Sequence, residues 1–106
     1  MIAKGRARPS AGNKTEQAYG KLLALRQSAG EVSWWRFEGI TLKLADDTRY
    51  TPDFSLMLAN GDMEFHETKG FMRDDARVKL RVAAAQFPFR FWLVELTKGV
   101  WKWTEI

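Results

Sequence analysis

Three residues near the middle of this sequence could share one piece of chemistry. Asp53 follows Pro52, and fourteen positions on Glu67 and Lys69 stand either side of Thr68. Between them lies Asn60-Gly61, a pair that tolerates positive φ and so favours a tight hairpin turn. The apolar runs on either side, Phe54–Leu58 and Met63–Thr68, then read as two antiparallel strands. Asp53 would sit at the outer end of the first strand and Glu67 with Lys69 at the outer end of the second. Those ends lie side by side in a hairpin, so two carboxylates and an ammonium converge. Side chains alternate along a strand, so Glu67 and Lys69 share a face while His66 and Thr68 take the other. A hard cation such as magnesium takes oxygen ligands, commonly one or two carboxylates, and keeps other positions for water and phosphate. An ammonium beside it can orient that water or stabilise charge on a phosphate. That is the chemistry of phosphodiester cleavage. Singly, each residue has a blander account. Asp53 could be a turn residue, and Glu67 with Lys69 a surface ion pair worth about 0–1 kcal/mol. Convergence of all three makes those accounts the weaker ones.

The elements needed to hold this hairpin follow from periodicity. A helix is expected from Asn13 or Thr15 to about Ser28, with Ala18, Leu22, Leu25 and Ala29 on one face and Tyr19 and Leu23 widening it. Asn13 and Glu16 have capping-box spacing, and an acid suits the positive end of a helix, so from the residues alone Glu16 reads as a cap. Val32–Leu44 reads as one long strand, bulged or bent at Gly39, with Trp34 and Trp35 as packing residues. Asp46 and Asp47 read as turn residues. A second helix is expected from Asp74 to about Phe87, its core stripe being Ala76, Leu80, Ala83, Ala84 and Phe87. Val78, Val82 and Ala85 form a second apolar face for the first helix or for another subunit. Pro88 ends it, and Phe89–Leu96 and Val100–Trp103 read as a buried strand and an edge strand, with packing as the default role of Trp101 and Trp103. His66, turned away from Glu67 by strand parity, reads as a structural residue or a nucleic-acid contact.

The chain has 106 residues, 45% of them hydrophobic, enough for one domain with a modest core. Seventeen basic residues against thirteen acidic give a net charge of +4, which favours an anionic partner, nucleic acid first among them. The absence of cysteine excludes disulfides and thiolate zinc sites. No apolar run reaches the roughly 20 residues of a membrane span, and the basic N-terminus lacks the apolar core of a signal peptide. Residues 1–15, with Lys4, Arg6, Arg8 and Lys14 and no acid, read as a basic arm that could follow a phosphate backbone or remain a solvated tail. Residues 16–106 read as the folded domain. Arg73, Arg77 and Arg81, spaced by four, line one flank of the second helix and could position phosphates.

The run YTPDF, a spacer with a glycine turn, ETKG, and then DDARVK resembles the PD-(D/E)XK nucleases. Within them it is similar to the phage endonuclease I type of Holliday-junction resolvase and to related short phage proteins. The likeness covers roughly Glu16 to Glu95. It implies an α/β, restriction-endonuclease-like core ordered αβββαβ, with a mixed sheet of four or five strands. It implies a magnesium-dependent DNA endonuclease, with manganese as a substitute, in the cytoplasm of a bacterial host of phage or prophage. Asp53, Glu67 and the backbone carbonyl of Thr68 would hold the metal, Lys69 would complete the catalytic set, and Glu16 matches a further upstream acid that could hold a second cation. A branched DNA substrate would call for two active sites and hence a homodimer. Two rivals stay open: a DNA-binding or phage assembly module that does not cut, and a nuclease of duplex or single strands without junction preference.

Overall fold

The computed structural model describes residues 12–69 and 74–106, apart from the side chains of Lys69, Asp74 and Asp75. The chain is an α/β protein with two helices and a mixed five-stranded sheet. In chain order the elements are α1 (Lys14–Ser28), β1 (Val32–Phe37), β2 (Leu42–Ala45), β3 (Thr48–Tyr50), β4 (Phe54–Leu58), β5 (Met63–Lys69), α2 (Asp74–Gln86), β6 (Arg90–Thr97) and β7 (Val100–Glu105). The large sheet runs β1-β4-β5-β6-β7, so β1 and β7 are its edges, and β2 with β3 forms a separate two-stranded ribbon. Every pairing in the large sheet is antiparallel except β5 with β6, which α2 connects as a parallel crossover. No helix among the described residues is long and apolar enough to cross a membrane.

The hairpin turns at Asn60-Gly61 as expected, but through a three-residue loop closed by the Leu58 amide donating to the Asp62 carbonyl, in which only Gly61 takes a positive φ. Gly61 has φ +94°, the Asp62 amide donates to Asn60 Oδ1 at 2.9 Å, and Phe54 faces His66 across the two strands. This hairpin supplies the two central strands, and each of its faces is covered by a different layer. On one side Tyr19 and Leu23 of α1 pack with Val32, Phe54, Leu56 and Val94. On the other, Leu80 and Ala83 of α2 pack with Leu42, Leu44, Tyr50, Phe65 and Phe91. Burying each of these large side chains contributes about 1.5–3 kcal/mol.

Three expectations need correction. The segment from Val32 to Leu44 is two strands, because the chain leaves the sheet at Glu38, whose φ is +50°. Gly39 permits that exit, since a Cβ there would lie 2.5 Å from the Arg36 Cβ. The buried side of α1 is Glu16, Tyr19 and Leu23, with Leu22 partly covered, while Leu25 is 68% exposed and Ala29 is only the C-cap. Packing against the aromatic Tyr19, rather than the longest aliphatic stripe, sets the helix's rotation. Lys14 and Thr15 belong to α1, not to a preceding arm.

Other readings hold. Asp46 and Asp47 occupy the turn between β2 and β3, and Trp35 packs on Phe54. Leu80, Ala83, Ala84 and Phe87 of the expected α2 stripe face the core, whereas Ala76 is outside that cluster, and Trp101 packs on Tyr19. The second apolar face of α2 is not against α1, which lies on the opposite side of the sheet; Val78 is 58% exposed. Lys4, Arg6, Arg8 and Arg73 lie outside the described residues, as do the side chains of Asp74 and Asp75.

Asn13 caps α1 through a complete capping box: the Glu16 amide donates to Asn13 Oδ1 and the Asn13 amide donates to Glu16 Oε1, both at 2.8 Å. Replacing Asn13 by alanine is expected to cost about 1 kcal/mol of stability, read as a lower midpoint in urea. It should also release one tether on the Glu16 carboxylate.

Candidate metal centre

Asp53 stands just before β4, where Pro52 ends a loop and β5 runs past its partner strand. Its carboxylate is buried and reaches across to β5: Oδ2 accepts from the Thr68 amide at 3.0 Å and from the Thr68 hydroxyl at 2.8 Å. Glu67 returns the contact. Its Oε1 accepts from the Asp53 amide at 3.2 Å and from the Tyr50 hydroxyl at 2.5 Å. One oxygen of each carboxylate is thus held by donors, which pre-orients the pair.

Proline at position 52 has a specific consequence here. Extending the β4–β5 register two places beyond Phe54 and His66 sets Thr68 opposite Pro52. In an antiparallel pair, a residue's N–H and C=O point to the same neighbour. The Thr68 amide turns to Asp53, so its carbonyl faces the same edge, and Pro52 has no N–H to offer it.

Glu16 joins from the α1 side. It is buried, and both Asp53 and Glu67 feel its charge. Its Oε1 serves the capping box, so the cap reading is correct and compatible with a place beside the other two acids. Gly12 makes room for this arrangement: its φ is +93°, and a Cβ there would fall within bonding distance of Glu16 Oε1.

The electrostatics are those of a crowded anionic site. Burial, then repulsion from Glu67 and Glu16, lifts the Asp53 carboxyl to about 8. Burial also raises Glu67, against the donors from Tyr50 and the Asp53 amide. The Tyr50 hydroxyl is held firmly protonated by burial and by Glu67, so it acts as a fixed donor. Near neutral pH the Asp53–Glu67 pair retains a proton because two adjacent buried negative charges repel. A divalent cation would remove that repulsion.

The donor set fits a hard cation of the magnesium type, which binds through one or two carboxylates and keeps several waters. Among the described residues, no three His, Cys, Asp or Glu side chains close around a common point. Asp53, Glu67 and Thr68 are brought together as expected, with Glu16 in electrostatic reach. Lys69 ends β5 next to them, with its side chain outside the described residues. Lys14 is exposed at the start of α1, and Arg77 and Arg81 are exposed on α2.

Sequence reasoning missed Tyr50, whose signal was its position three residues before Asp53, at the end of the run entering the hairpin. It also missed a buried relay on the opposite face of β5. The Trp103 indole N–H donates to the Tyr19 hydroxyl at 2.8 Å, which lies 2.5 Å from His66 Nδ1, and His66 Nε2 lies 3.0 Å from Glu64 Oε1. Indole N–H can only donate. Tyr19 therefore accepts from Trp103 and donates to His66 Nδ1, which leaves the His66 proton on Nε2, donated to Glu64. Burial holds His66 below its ordinary value and Tyr19 up at about 12, so both stay neutral across the physiological range. The expectation that His66 is structural agrees with this geometry. The signal was three polar residues, Glu64, His66 and Thr68, on one face of a central strand, where only mutual hydrogen bonding makes burial tolerable.

No family model matches the chain, and no curated protein or solved structure is similar to it.

Proposed function

We propose that this protein is a magnesium-dependent DNA endonuclease with a restriction-endonuclease-like core. The observation that carries the reading is the Asp53–Glu67 pair, cross-braced by Thr68 and Tyr50 and holding a proton near neutral pH that a cation would displace. Structural carboxylates are ordinarily arranged to relieve repulsion; a pair held in place despite it is suited to a cation and its phosphate ligand. Asp53, Glu67 and the Thr68 carbonyl would hold the ion, with Glu16 as a further acid for a second one. When bound, the cation polarises a phosphate oxygen and lowers the pKa of a coordinated water. The chain's own residues do the remainder. Thr68 and Tyr50 fix the two carboxylates, and Lys69 meets the charge that develops on the phosphate. Arg73, Arg77 and Arg81, with Lys4, Arg6, Arg8 and Lys14, would bind the DNA backbone, in keeping with the net charge of +4. A branched substrate in a phage or prophage setting, served by a homodimer, is the more specific form of this reading.

The test is cleavage of a four-way junction, a matching duplex and a single strand with magnesium or manganese, comparing wild type with Glu67→Gln and Lys69→Ala. Metal-dependent cutting lost in both variants is the expected result. Paired cuts confined to the junction would mark a resolvase, and equal cutting of all three would remove the junction preference. DNA binding without cutting under any metal would replace the nuclease with a binding module.

A further inference from the structure

A cleft of about 550 Å³ opens on the α1 side of the sheet, away from the carboxylate pair, and nothing in the proposed cleavage uses it. Its volume falls within the roughly 300–1,000 Å³ of small-molecule sites. The walls are Leu22 from α1, Leu58 from the end of β4, and the indoles of Trp92 and Trp103. Those two tryptophans sit on one face of the β6–β7 pair at diagonal positions, since Trp92 faces Glu105 and Val94 faces Trp103. Glu64 lines the cleft with His66 behind it, and Arg26, paired with Glu31 at 3.0 Å, stands at the rim.

Two features make this more than an apolar hollow. Glu64 is a carboxylate in a wall that is otherwise largely apolar, and the relay from Trp103 through Tyr19 and His66 ends on its Oε1. The relay supplies one donor, whereas a carboxylate can accept several more hydrogen bonds. The Trp92 indole N–H is the second feature: it is buried and has no hydrogen-bond partner. An unpaired buried donor is costly, and few native side chains tolerate it without a ligand or water.

We propose that this cleft binds a guanine base. The ligand must present a flat π-surface to the indoles and donors to a carboxylate. Among the four common bases only guanine carries two adjacent donors, N1–H and the N2 amino group, on its pairing edge. A carboxylate accepts both at once, while adenine and cytosine each offer a single donor group beside an acceptor that would face the carboxylate's lone pairs. Stacking on an aromatic side chain is worth about 1–3 kcal/mol per base and does not discriminate between bases; discrimination here falls to Glu64. The proposal rests on the nucleic-acid reading for the source of the base, a nucleotide within a strand, and not for the cleft itself.

The test is done in EDTA, so that it is independent of any cutting. GMP, AMP, CMP and UMP are titrated into wild type, following the indole N–H signals of Trp92 and Trp103 by NMR. Two oligothymidylates, one containing a single dG, are titrated in parallel. GMP is expected to saturate and to shift both indole signals, binding at least about tenfold more tightly than the other three nucleotides, a difference of about 1.4 kcal/mol. Glu64→Gln keeps an acceptor for His66 and should erase the preference while leaving the melting temperature nearly unchanged. A gain for the dG oligonucleotide over GMP identifies a base in a strand, and the reverse identifies a free nucleotide. Equal binding of all four nucleotides, or none with the indole signals unmoved, overturns the proposal even if the protein proves to be a nuclease.

Discussion

Asp53→Asn is expected to abolish metal-dependent cutting while making the metal-free protein more stable. The amide keeps an oxygen to accept from the Thr68 amide and hydroxyl, so the strand ends stay joined. It cannot ionise, so repulsion from Glu67 and Glu16 disappears. Cutting should fall by more than about 10²-fold, the upper range for loss of a partner that merely supports a metal ligand. The stability change depends on pH, and its sign follows from proton binding. Native Asp53 keeps its proton up to about 8, whereas in the unfolded chain it ionises near its ordinary value of 3.8. The native state therefore binds more protons across that interval, and wild-type stability falls as pH rises through it. Asp53→Asn removes this fall. In EDTA its stability should match wild type near the acid end of the window and exceed it at the alkaline end by about 2 kcal/mol after allowance for relaxation around the site, read as a higher melting temperature. Magnesium should raise the wild-type melting temperature at alkaline pH and leave the variant's nearly unchanged. Equal pH profiles for the two proteins would show that Asp53 does not carry this repulsion. A gain in stability on losing the Asp53 carboxylate would be the trade-off expected of a site built for a ligand rather than for the apo fold.

His66→Ala should have the opposite profile: a large loss of stability with the chemistry retained. His66 is 2% exposed and joins Tyr19 to Glu64, so its removal leaves a buried hydroxyl without an acceptor and a carboxylate without its donor. Together with the cavity, that should cost about 3–5 kcal/mol. Cutting measured below the variant's melting temperature should persist, because Glu67 and Asp53 lie on the other side of the strand or at its end. The pH dependence runs contrary to that of Asp53. His66 is held neutral in the fold, and the unfolded histidine takes a proton as pH falls through its ordinary value of 6.5. Its contribution is complete above that value and is lost as pH drops below it. The gap between wild type and His66→Ala in chemical denaturation should therefore narrow from neutral toward acid pH. A variant that folds normally and cannot cut would instead assign His66 to the chemistry.

What the sequence by itself determined was local. The Asn60-Gly61 pair marks where the hairpin turns, with Gly61 supplying the positive φ, and the strand pairing that follows brings Asp53, Glu67 and Thr68 together. The capping box at Asn13 and Glu16 is likewise four residues of chemistry, legible from their spacing. The α2 stripe follows from periodicity that a single buried side reads out. The tertiary structure decided the rest, because it depended on partners distant in the chain. The break at Glu38 and Gly39 sends β2 and β3 to the α2 side, where Tyr50 can reach Glu67. The rotation of α1 was decided by Tyr19, whose hydroxyl finds Trp103 and His66 across gaps of 84 and 47 residues. An aliphatic count along α1 favoured Leu25 instead, because it prices apolar area and cannot see a buried hydrogen-bond relay. The raised Asp53 is of the same kind: no spacing in the chain announces it, since it arises from burial of Asp53 with Glu67 and Glu16 in electrostatic reach.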